Sequence, residues 1–379
     1  MKKIILISFI MCLFNSCGVE AWAYSEKCTT HPQNTPSVFT CGKPNCFWET
    51  NMDVTKIEDT WAMLMQPMIT VKGNQKNTEY LRSSPDQNAT AAGEVTCASQ
   101  GVHVLETLDS GWSLIECYSS SFHDSKIKAW NELVTGYIET NKLETIDVQT
   151  EYALIVDKLT QRMYVFCEGE LLDSLAVSTG LPNDKQPYNE TRAGEYILVS
   201  PVGDFPSGNM TCGYGMRFNN GDLLHEVPYL TNADGTRNYS YAEADLGERA
   251  SHGCIRVQRL RTSHGINMKW IWDTLKNKLR TRIVIWEDDH GRQIPIPRDD
   301  LLVYINPDGG KSYHASDFCY GVREQYLPLT AISYLCLNEQ YQNLTACQYC
   351  VPVQRKTDIE KKNREYAEEQ DTKVTITIE

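Results

Sequence analysis

The chain has 379 residues, of which 22% are charged and 10% aromatic, and its formal net charge is −13 at pH 7. This composition is typical of a globular protein, and the length allows two or three domains. The negative charge argues against nucleic acid as a partner, because phosphate binding requires a basic surface.

Residues 1–23 have the three parts of a signal peptide. Lys2 and Lys3 form the positive region, and the apolar stretch from Ile4 to Phe14 is too short to span a bilayer. The run Ala21-Trp22-Ala23 fits a cleavage site and predicts a mature start at Tyr24. We therefore expect an exported protein with no stable membrane span after signal cleavage.

A rival interpretation has Cys17 lipidated, but Phe14 and Asn15 fit a lipobox poorly. Loss of Cys12 and Cys17 with the signal peptide leaves twelve of the fourteen cysteines. In an oxidising compartment most of them are expected to form disulfide bonds. Their connectivity cannot be deduced from sequence alone.

Residues 24–68 are a cysteine-containing extension. Cys28, Cys41 and Cys46 lie among Pro, Asn and Thr, and the stretch from Val54 to Met65 looks helical. We interpret the extension as a disulfide-stapled cap on the next domain.

Residues 69–145 predict short strands separated by turns. Three motifs occur in order along this region: Tyr80-Leu81-Arg82-Ser83-Ser84-Pro85, Gly111-Trp112-Ser113-Leu114-Ile115 and Gly136-Tyr137-Ile138. Together they resemble a bacterial SH3-like domain, a small barrel often attached to wall enzymes. The resemblance implies either wall binding or a spacer that orients the catalytic domain.

Two features of the SH3-like region need comment. The insertion from Ser119 to Leu133 departs from the usual short connection. Cys97 and Cys117 are expected on neighbouring strands, where they could pair.

Residues 150–287 carry the strongest β pattern. Five runs predict strands: Tyr152–Asp157, Arg162–Phe166, Leu175–Gly180, Thr191–Leu198 and Arg282–Trp286. Apolar residues at helical spacing precede the last strand: Met268, Ile271, Trp272, Leu275 and Leu279. This helical stripe is expected to belong to the core.

The segment Arg249-Ala250-Ser251-His252-Gly253-Cys254-Ile255-Arg256 is the most informative in the chain. It places Cys254 directly after a His-Gly pair, and a second histidine, His225, lies upstream. A thiol, an imidazole and backbone N–H groups at a glycine turn are what acyl transfer requires.

The run from Ser251 to Arg256, preceded by His225, resembles the signature of YkuD-type L,D-transpeptidases. These are bacterial cell-wall enzymes that cross-link peptidoglycan stem peptides. The resemblance covers roughly residues 150–287 and implies a mainly β sandwich. It also implies a bacterial periplasm or cell envelope, peptidoglycan stem peptides as partners, and chemistry that needs no cofactor.

The resemblance assigns roles to five residues. Cys254 is the nucleophile, and His225 is the base that would form a thiolate–imidazolium pair with it. The backbone carbonyl of Glu226 would orient the imidazole. His252 would shape the pocket or support the base, and Gly253 would let the backbone approach the substrate. The amides of Gly253 and Cys254 are candidates for the oxyanion hole.

Three further residues are candidates for substrate contact. Arg256 has a forked cation suited to a stem-peptide carboxylate, with a structural ion pair as the alternative. Ser251 is expected to hydrogen-bond within the turn at the site. Tyr214 is expected near the site, as in the corresponding family segment.

The chain departs from the family pattern between His225 and the cysteine motif. Residues 228–250 intervene and are rich in Tyr, Asn, Asp and Gly, which predicts a loop over the site that could act as a lid. The departure leaves His264 and His290 as alternative bases, although neither has a matching context.

The implied reaction has two steps. Cys254 attacks the carbonyl of the third stem residue, and an amine of a second stem resolves the thioester. Resolution by water would make the protein an L,D-carboxypeptidase, and resolution by a protein lysine would make it an anchoring enzyme. Two rivals are a papain-like wall hydrolase, disfavoured because its His lies downstream of the Cys, and a non-catalytic wall-binding protein.

Residues 301–352 predict a separate small module. His314 with Cys319, Cys347 and Cys350 could ligate a tetrahedral structural zinc ion. The alternative is two disulfides, with Cys336 as a further partner. The charged tail, residues 353–379, predicts a solvated helix or a disordered segment.

Overall fold

The structure is a computed structural model that describes residues 45–50, 52–262, 264–287, 291–347 and 349–378, and only the backbone of residues 369–378. The predicted signal peptide, the lipidation alternative at Cys17 and any pairing of Cys28 or Cys41 lie outside the described residues. Within the described ranges, no helix has the length and apolar character needed to cross a membrane.

The first described helix, α1 (Ile57–Leu64), lies within the predicted helical stretch. Its Met63 and Leu64 are buried in a cluster with Ala153, Ile155 and Phe166. The extension therefore packs on the region of residues 150–287. Four short 3-10 turns accompany the main elements: Phe47–Glu49, Thr140–Lys142, Pro187–Asn189 and Glu324–Tyr326.

The upstream region is an antiparallel β unit. Its strands are β1 (Met68–Val71), β2 (Thr78–Arg82), β3 (Ala91–Thr96), β4 (His103–Thr107), β5 (Trp112–Ser120), β6 (Trp130–Glu139) and β7 (Leu143–Ile146). One sheet has the order β3-β2-β6-β5-β4, and β1 pairs with β7. The SH3-like assignment of this unit remains a prediction.

Residues 150–287 contribute the largest sheet. In chain order its elements are β8 (Tyr152–Asp157), β9 (Arg162–Cys167), β10 (Glu170–Ser178), β11 (Gly194–Ile197), β12 (Ser200–Ser207), β13 (Met210–Arg217), β14 (Leu223–Glu226), β15 (Leu230–Thr231), β16 (Arg237–Asn238), α2 (Ser240–Glu243), β17 (Ile255–Val257), α3 (Met268–Leu275) and β18 (Arg282–Trp286). Nine strands follow the order β11-β18-β8-β9-β10-β17-β14-β13-β12, and β15 pairs with β16.

Strand β10 joins the two halves of this sheet. It pairs with β9 over most of its length and with β17 at Val177 and Ser178. Residues of both halves share one buried cluster, which includes Leu154 from one half and Leu224 from the other. Helix α3 closes the cluster with Met268, Ile271 and Leu275. The mainly β prediction is confirmed.

The C-terminal module has its own small sheet and core. Its elements are β19 (Leu302–Ile305), β20 (Ser312–His314), β21 (Thr330–Ser333), α4 (Tyr334–Glu339) and β22 (Thr345–Ala346), with strand order β21-β19-β20-β22. The tail is the helix α5 (Lys356–Ile378), which agrees with the helical alternative predicted for it.

The expected disulfides are absent among the described residues. Nine of the described cysteines are free thiols: Cys97, Cys117, Cys167, Cys212, Cys254, Cys319, Cys336, Cys347 and Cys350. The placement of Cys97 and Cys117 on neighbouring strands was wrong, because β2 and β6 separate β3 from β5 in the sheet.

Candidate active site

The parallel pairing of β14 with β17 brings His225 next to the cysteine motif. In this pairing His225 lies opposite Arg256, and Leu224 lies opposite Ile255. Cys254 directly precedes β17, at the end of the turn that leads into the strand. Two segments that are distant in sequence therefore lie side by side within the sheet.

The turn before Cys254 is held by its own hydrogen bonds. The Ser251 hydroxyl donates to the Cys254 carbonyl and accepts from the Gly253 N–H at 3.2 Å. The Thr191 hydroxyl donates to the Gly253 carbonyl at 2.7 Å. The Gly253 amide is thus engaged inside the turn, and its role in an oxyanion hole remains a prediction.

The Cys254 side chain is half-buried, and its Sγ lies 3.9 Å from the Gly221 carbonyl oxygen. Burial raises the pKa of the Cys254 thiol to about 12, and the negative charge of Asp222 adds to this shift. A backbone hydrogen bond from Leu223 acts in the opposite direction. Cys254 is therefore protonated at neutral pH.

The His225 imidazole is buried and hydrogen-bonded to the chain. Its Nδ1 lies 2.6 Å from the Glu226 carbonyl oxygen, so Nδ1 carries the proton and Nε2 has the free lone pair. The Phe205 ring contacts the imidazole edge to face, with centroids 5.3 Å apart. Burial lowers the pKa of His225 to about 4, so the ring is neutral at pH 7.

The pKa shifts of Cys254 and His225 favour the neutral form of each group, and the expected thiolate–imidazolium pair remains a prediction. Burial disfavours the charged form of Cys254 and of His225 alike. The resting site holds a neutral thiol and a neutral imidazole with Nε2 able to accept a proton.

A buried ion pair that the sequence did not reveal lies under the turn. The Arg192 Nη1 lies 3.1 Å from both carboxylate oxygens of Asp222, and both side chains are almost fully buried. A Cβ placed on Gly253 would come within 2.8 Å of Asp222 Oδ1. Neither residue belongs to the motif, and their pairing across the fold leaves no local signal.

The insertion in the upstream unit reaches this ion pair. Arg192 Nη2 donates to the Ser121 carbonyl at 2.6 Å, and its guanidinium carbon lies 4.0 Å from the centroid of the Phe122 ring. The same ring packs against Gly221, where an added Cβ would come within 2.9 Å of it. Residues of the Ser119 to Leu133 insertion therefore pack against the ion pair that lies beneath the turn before Cys254.

Two of the candidate substrate contacts, Arg256 and Ser251, interact with other residues of the protein. Arg256 is buried and paired with Asp245 at 3.4 Å, which is the ion-pair alternative. Ser251 is buried and hydrogen-bonded within the turn, and contact of this residue with a substrate remains a prediction. Tyr214 is half-buried with its ring 6.3 Å from that of Trp272, which places it on the side of α3.

The remaining histidines differ in position. His252 is exposed beside the turn. His264 is exposed and lies 3.2 Å from Asp173, in an ion pair when it is protonated, and this pairing gives no support to a role as base. His290 lies outside the described residues.

The segment expected to form a loop over the site contains regular structure. Strands β15 and β16 form a hairpin, and α2 follows them. The Tyr239 hydroxyl donates to Glu226 at 3.0 Å, and Arg259 pairs with Glu243 at 2.9 Å. The insertion is thus attached to β14 and to the chain after β17, and its role as a lid remains a prediction.

The four predicted metal ligands, none of which belongs to the turn before Cys254, are also brought together. Ligand atoms of His314, Cys319, Cys347 and Cys350 all lie within 4.8 Å of one another.

Comparison with known proteins gives one family match. Residues 151–285 match the family model of the L,D-transpeptidase catalytic domain, YkuD. A comparison with curated proteins found no match.

Several solved structures are similar to this chain. One is a fused Zn-dependent amidase/peptidase/peptidoglycan-binding domain protein from Clostridium acetobutylicum, with 23% identity, a TM-score of 0.25, and coverage of 37% of this chain and 53% of that one. Another is the L,D-transpeptidase of Xylanimonas cellulosilytica, with 17% identity, a TM-score of 0.25, and coverage of 36% and 60%. The chain thus spans 53% and 60% of the lengths of these two structures. The catalytic domain of the E. faecium L,D-transpeptidase matches with 16% identity, a TM-score of 0.25, and coverage of 36% and 97%.

Proposed function

Since residues 151–285 carry a YkuD-type L,D-transpeptidase catalytic domain, we propose that the protein is an exported enzyme that cross-links peptidoglycan stem peptides through a cysteine thioester. The observation that carries this proposal is the parallel pairing of β14 with β17, which sets the His225 strand beside the turn that ends in Cys254. The YkuD match supports the reaction class.

In the first step the Cys254 sulfur attacks the carbonyl carbon of the third stem residue. His225 Nε2 accepts the thiol proton as the S–C bond forms, so no free thiolate has to accumulate. The same proton is then given to the amine of the terminal D-alanine as the peptide bond breaks. The product is a thioester on Cys254 and a neutral His225.

In the second step a side-chain amine of another stem attacks the thioester. Nε2 of His225 accepts a proton from this amine, and Cys254 leaves and recovers a proton, which closes the cycle. The new amide joins two third residues. Water in place of the amine would give an L,D-carboxypeptidase, and a protein lysine would give an anchoring enzyme.

The contacts of the upstream unit with residues 150–287 favour a role in building the site over a role as a separate wall-binding module. Ser121 and Phe122 of its insertion contact Arg192 beneath the catalytic turn. We propose that this unit orients the catalytic domain toward the cell wall and that its insertion supports the turn before Cys254. Export of the chain rests on the signal-peptide pattern of residues 1–23.

Intact-mass spectrometry after incubation with a carbapenem tests the proposal. We expect one adduct on the mature wild-type protein, none on Cys254→Ala, and an unchanged adduct on Cys167→Ser, which removes another half-buried thiol. A folded, reduced wild type with no adduct would contradict the transpeptidase proposal and favour the non-catalytic wall-binding alternative.

Incubation with purified disaccharide–tetrapeptide then identifies the acceptor. A cross-linked dimer that has lost one D-alanine supports transpeptidation, whereas a tripeptide product alone supports carboxypeptidase activity. The Cys254→Ala variant should form neither product.

A further inference from the structure

The C-terminal module contains a cluster of soft ligands that is separate from the active site. Cys319 and Cys347 are buried, and His314 and Cys350 lie beside them. These residues come from β20, from the loop after it, and from the segment after β22. His314 and Cys319 form one pair that is close in sequence, Cys347 and Cys350 form another, and the fold brings the two pairs together.

The spacing of the cluster fits ligands around one ion. The sulfurs of Cys319 and Cys347 lie 3.8 Å apart, and the Cys350 sulfur lies 3.7 Å from His314 Nδ1. Around a tetrahedral zinc ion with Zn–S of about 2.3 Å and Zn–N of about 2.0 Å, two sulfurs lie about 3.8 Å apart and a sulfur and a nitrogen about 3.5 Å apart. A disulfide would hold its sulfurs at about 2.0 Å.

Backbone amides support thiolates at two of these positions. The Ala315 N–H donates to the Cys350 sulfur at 3.3 Å, and the Gly321 N–H donates to the Cys319 sulfur at 3.4 Å. Such outer contacts orient ligands and stabilise their charge in metal sites. Three thiolates and one imidazole form a soft ligand set that selects zinc over calcium or magnesium.

The module has only a small hydrophobic core of its own. Its core is a cluster of six buried residues: Val303, Ile305, Tyr313, Tyr334, Leu337 and Leu344. Units this small usually require a metal or disulfides in addition to their core.

We propose that His314, Cys319, Cys347 and Cys350 bind one structural zinc ion. All four positions of the tetrahedron are filled by protein ligands, so the ion has no open position for catalysis. The proposal is independent of the transpeptidase function, because none of the four residues belongs to the catalytic turn.

The zinc site also fixes a loop that packs on the chain just before the catalytic turn. Val351 follows the last ligand and has a φ of 40°, a left-handed conformation that a β-branched residue rarely adopts. Its carbonyl accepts a hydrogen bond from Arg162. Its Cγ1 packs against Gly247, where an added Cβ would come within 3.3 Å of this methyl group. The metal therefore secures the module against the segment that leads into Ser251.

Metal analysis of the full mature chain tests the proposal. The protein should contain about one zinc per chain after purification without chelators. Cobalt(II) substituted into the site should show thiolate-to-metal charge transfer and the strong visible bands of tetrahedral coordination. Cys347→Ser should lose the metal, and Cys336→Ser should keep it, because Cys336 lies in the same module but outside the cluster.

If Cys347→Ser does not fold, alkylation of the wild-type cysteines tests the proposal instead. With zinc present, Cys319, Cys347 and Cys350 should resist alkylation and should react after chelation, whereas the reactivity of Cys336 should not depend on zinc. Disulfides that join the three cysteines in folded protein, or reduced protein that binds neither zinc nor cobalt, would overturn the proposal.

Discussion

Asp222 lies directly beneath Gly253, so close that a Cβ on the glycine would come within 2.8 Å of the carboxylate Oδ1. Gly253 itself has a φ of 116°, in the region that side chains other than glycine rarely adopt. The carboxylate cannot move aside easily, because Arg192 holds both of its oxygens. The shape of the catalytic turn therefore depends on a buried ion pair outside the motif.

We predict that Gly253→Ala slows acylation of Cys254 by about 10- to 100-fold, since backbone strain of this kind costs about 1–3 kcal/mol. The measurement is the rate of carbapenem acylation, read by intact mass. Gly235→Ala is the matched control, because Gly235 also has a positive φ, of 82°, but no atom within 4 Å of the added Cβ. Equal rates in the two variants would show that the contact with Asp222 is unimportant.

Much of the sheet could be predicted from local sequence. The runs Tyr152–Asp157 and Arg282–Trp286 match β8 and β18, because each is a short apolar run bounded by polar or turn residues. The run Thr191–Leu198 was too long, since β11 starts at Gly194. Residues before Gly194 instead support the turn before Cys254, because the Thr191 hydroxyl donates a hydrogen bond to the Gly253 carbonyl.

Other parts of the fold and site left no local signal. Strand β12 contains two prolines and a glycine and looks like a loop, yet it pairs with β13 at the sheet edge, where proline is tolerated. The cysteine motif marked Cys254, but nothing in the sequence links Arg192 to Asp222 or to Ser121. Those contacts arise when the upstream unit docks on the catalytic region.

The Arg192–Asp222 pair should behave as a coupled unit. Arg192→Met leaves Asp222 buried without its counter-ion, and we expect a loss of about 3–5 kcal/mol in the free energy of unfolding. Asp222→Asn should cost less, because Arg192 keeps its hydrogen bonds to the carbonyls of Ser121 and Tyr188. The double variant should be more stable than the sum of the single losses predicts, by at least about 1 kcal/mol. Urea unfolding of the four proteins measures this, and additive losses would contradict it.

Phe122 should connect the upstream unit to catalysis. Its ring covers the Arg192 guanidinium and packs against Gly221, whose carbonyl lies beside the Cys254 sulfur. We expect Phe122→Ala to slow acylation by about 3- to 10-fold, which corresponds to about 0.7–1.4 kcal/mol. Phe318→Ala, at an exposed position in the C-terminal module, is the control and should leave the rate unchanged. If the two variants acylate at the same rate, the insertion does not shape the site.

The pH dependence of acylation should show that Cys254 and His225 are both neutral before they react. Burial holds the pKa of His225 at about 4 and that of the Cys254 thiol at about 12. Protonation of His225 removes the base, so the rate should fall as the pH drops below about 5 and reach half of its maximum near pH 4. Between about pH 6 and 9 neither group titrates, and the rate should be flat.

The acylation rate by intact mass from pH 4 to pH 9 tests this prediction, with circular dichroism at each pH to show that the protein stays folded. A thiolate–imidazolium pair would behave differently, because its rate would rise as the thiol ionised within the neutral range. A rising limb between pH 6 and 9 would therefore show that a charged pair reacts, and that substrate or a lid movement changes the burial that keeps Cys254 and His225 neutral in this structure.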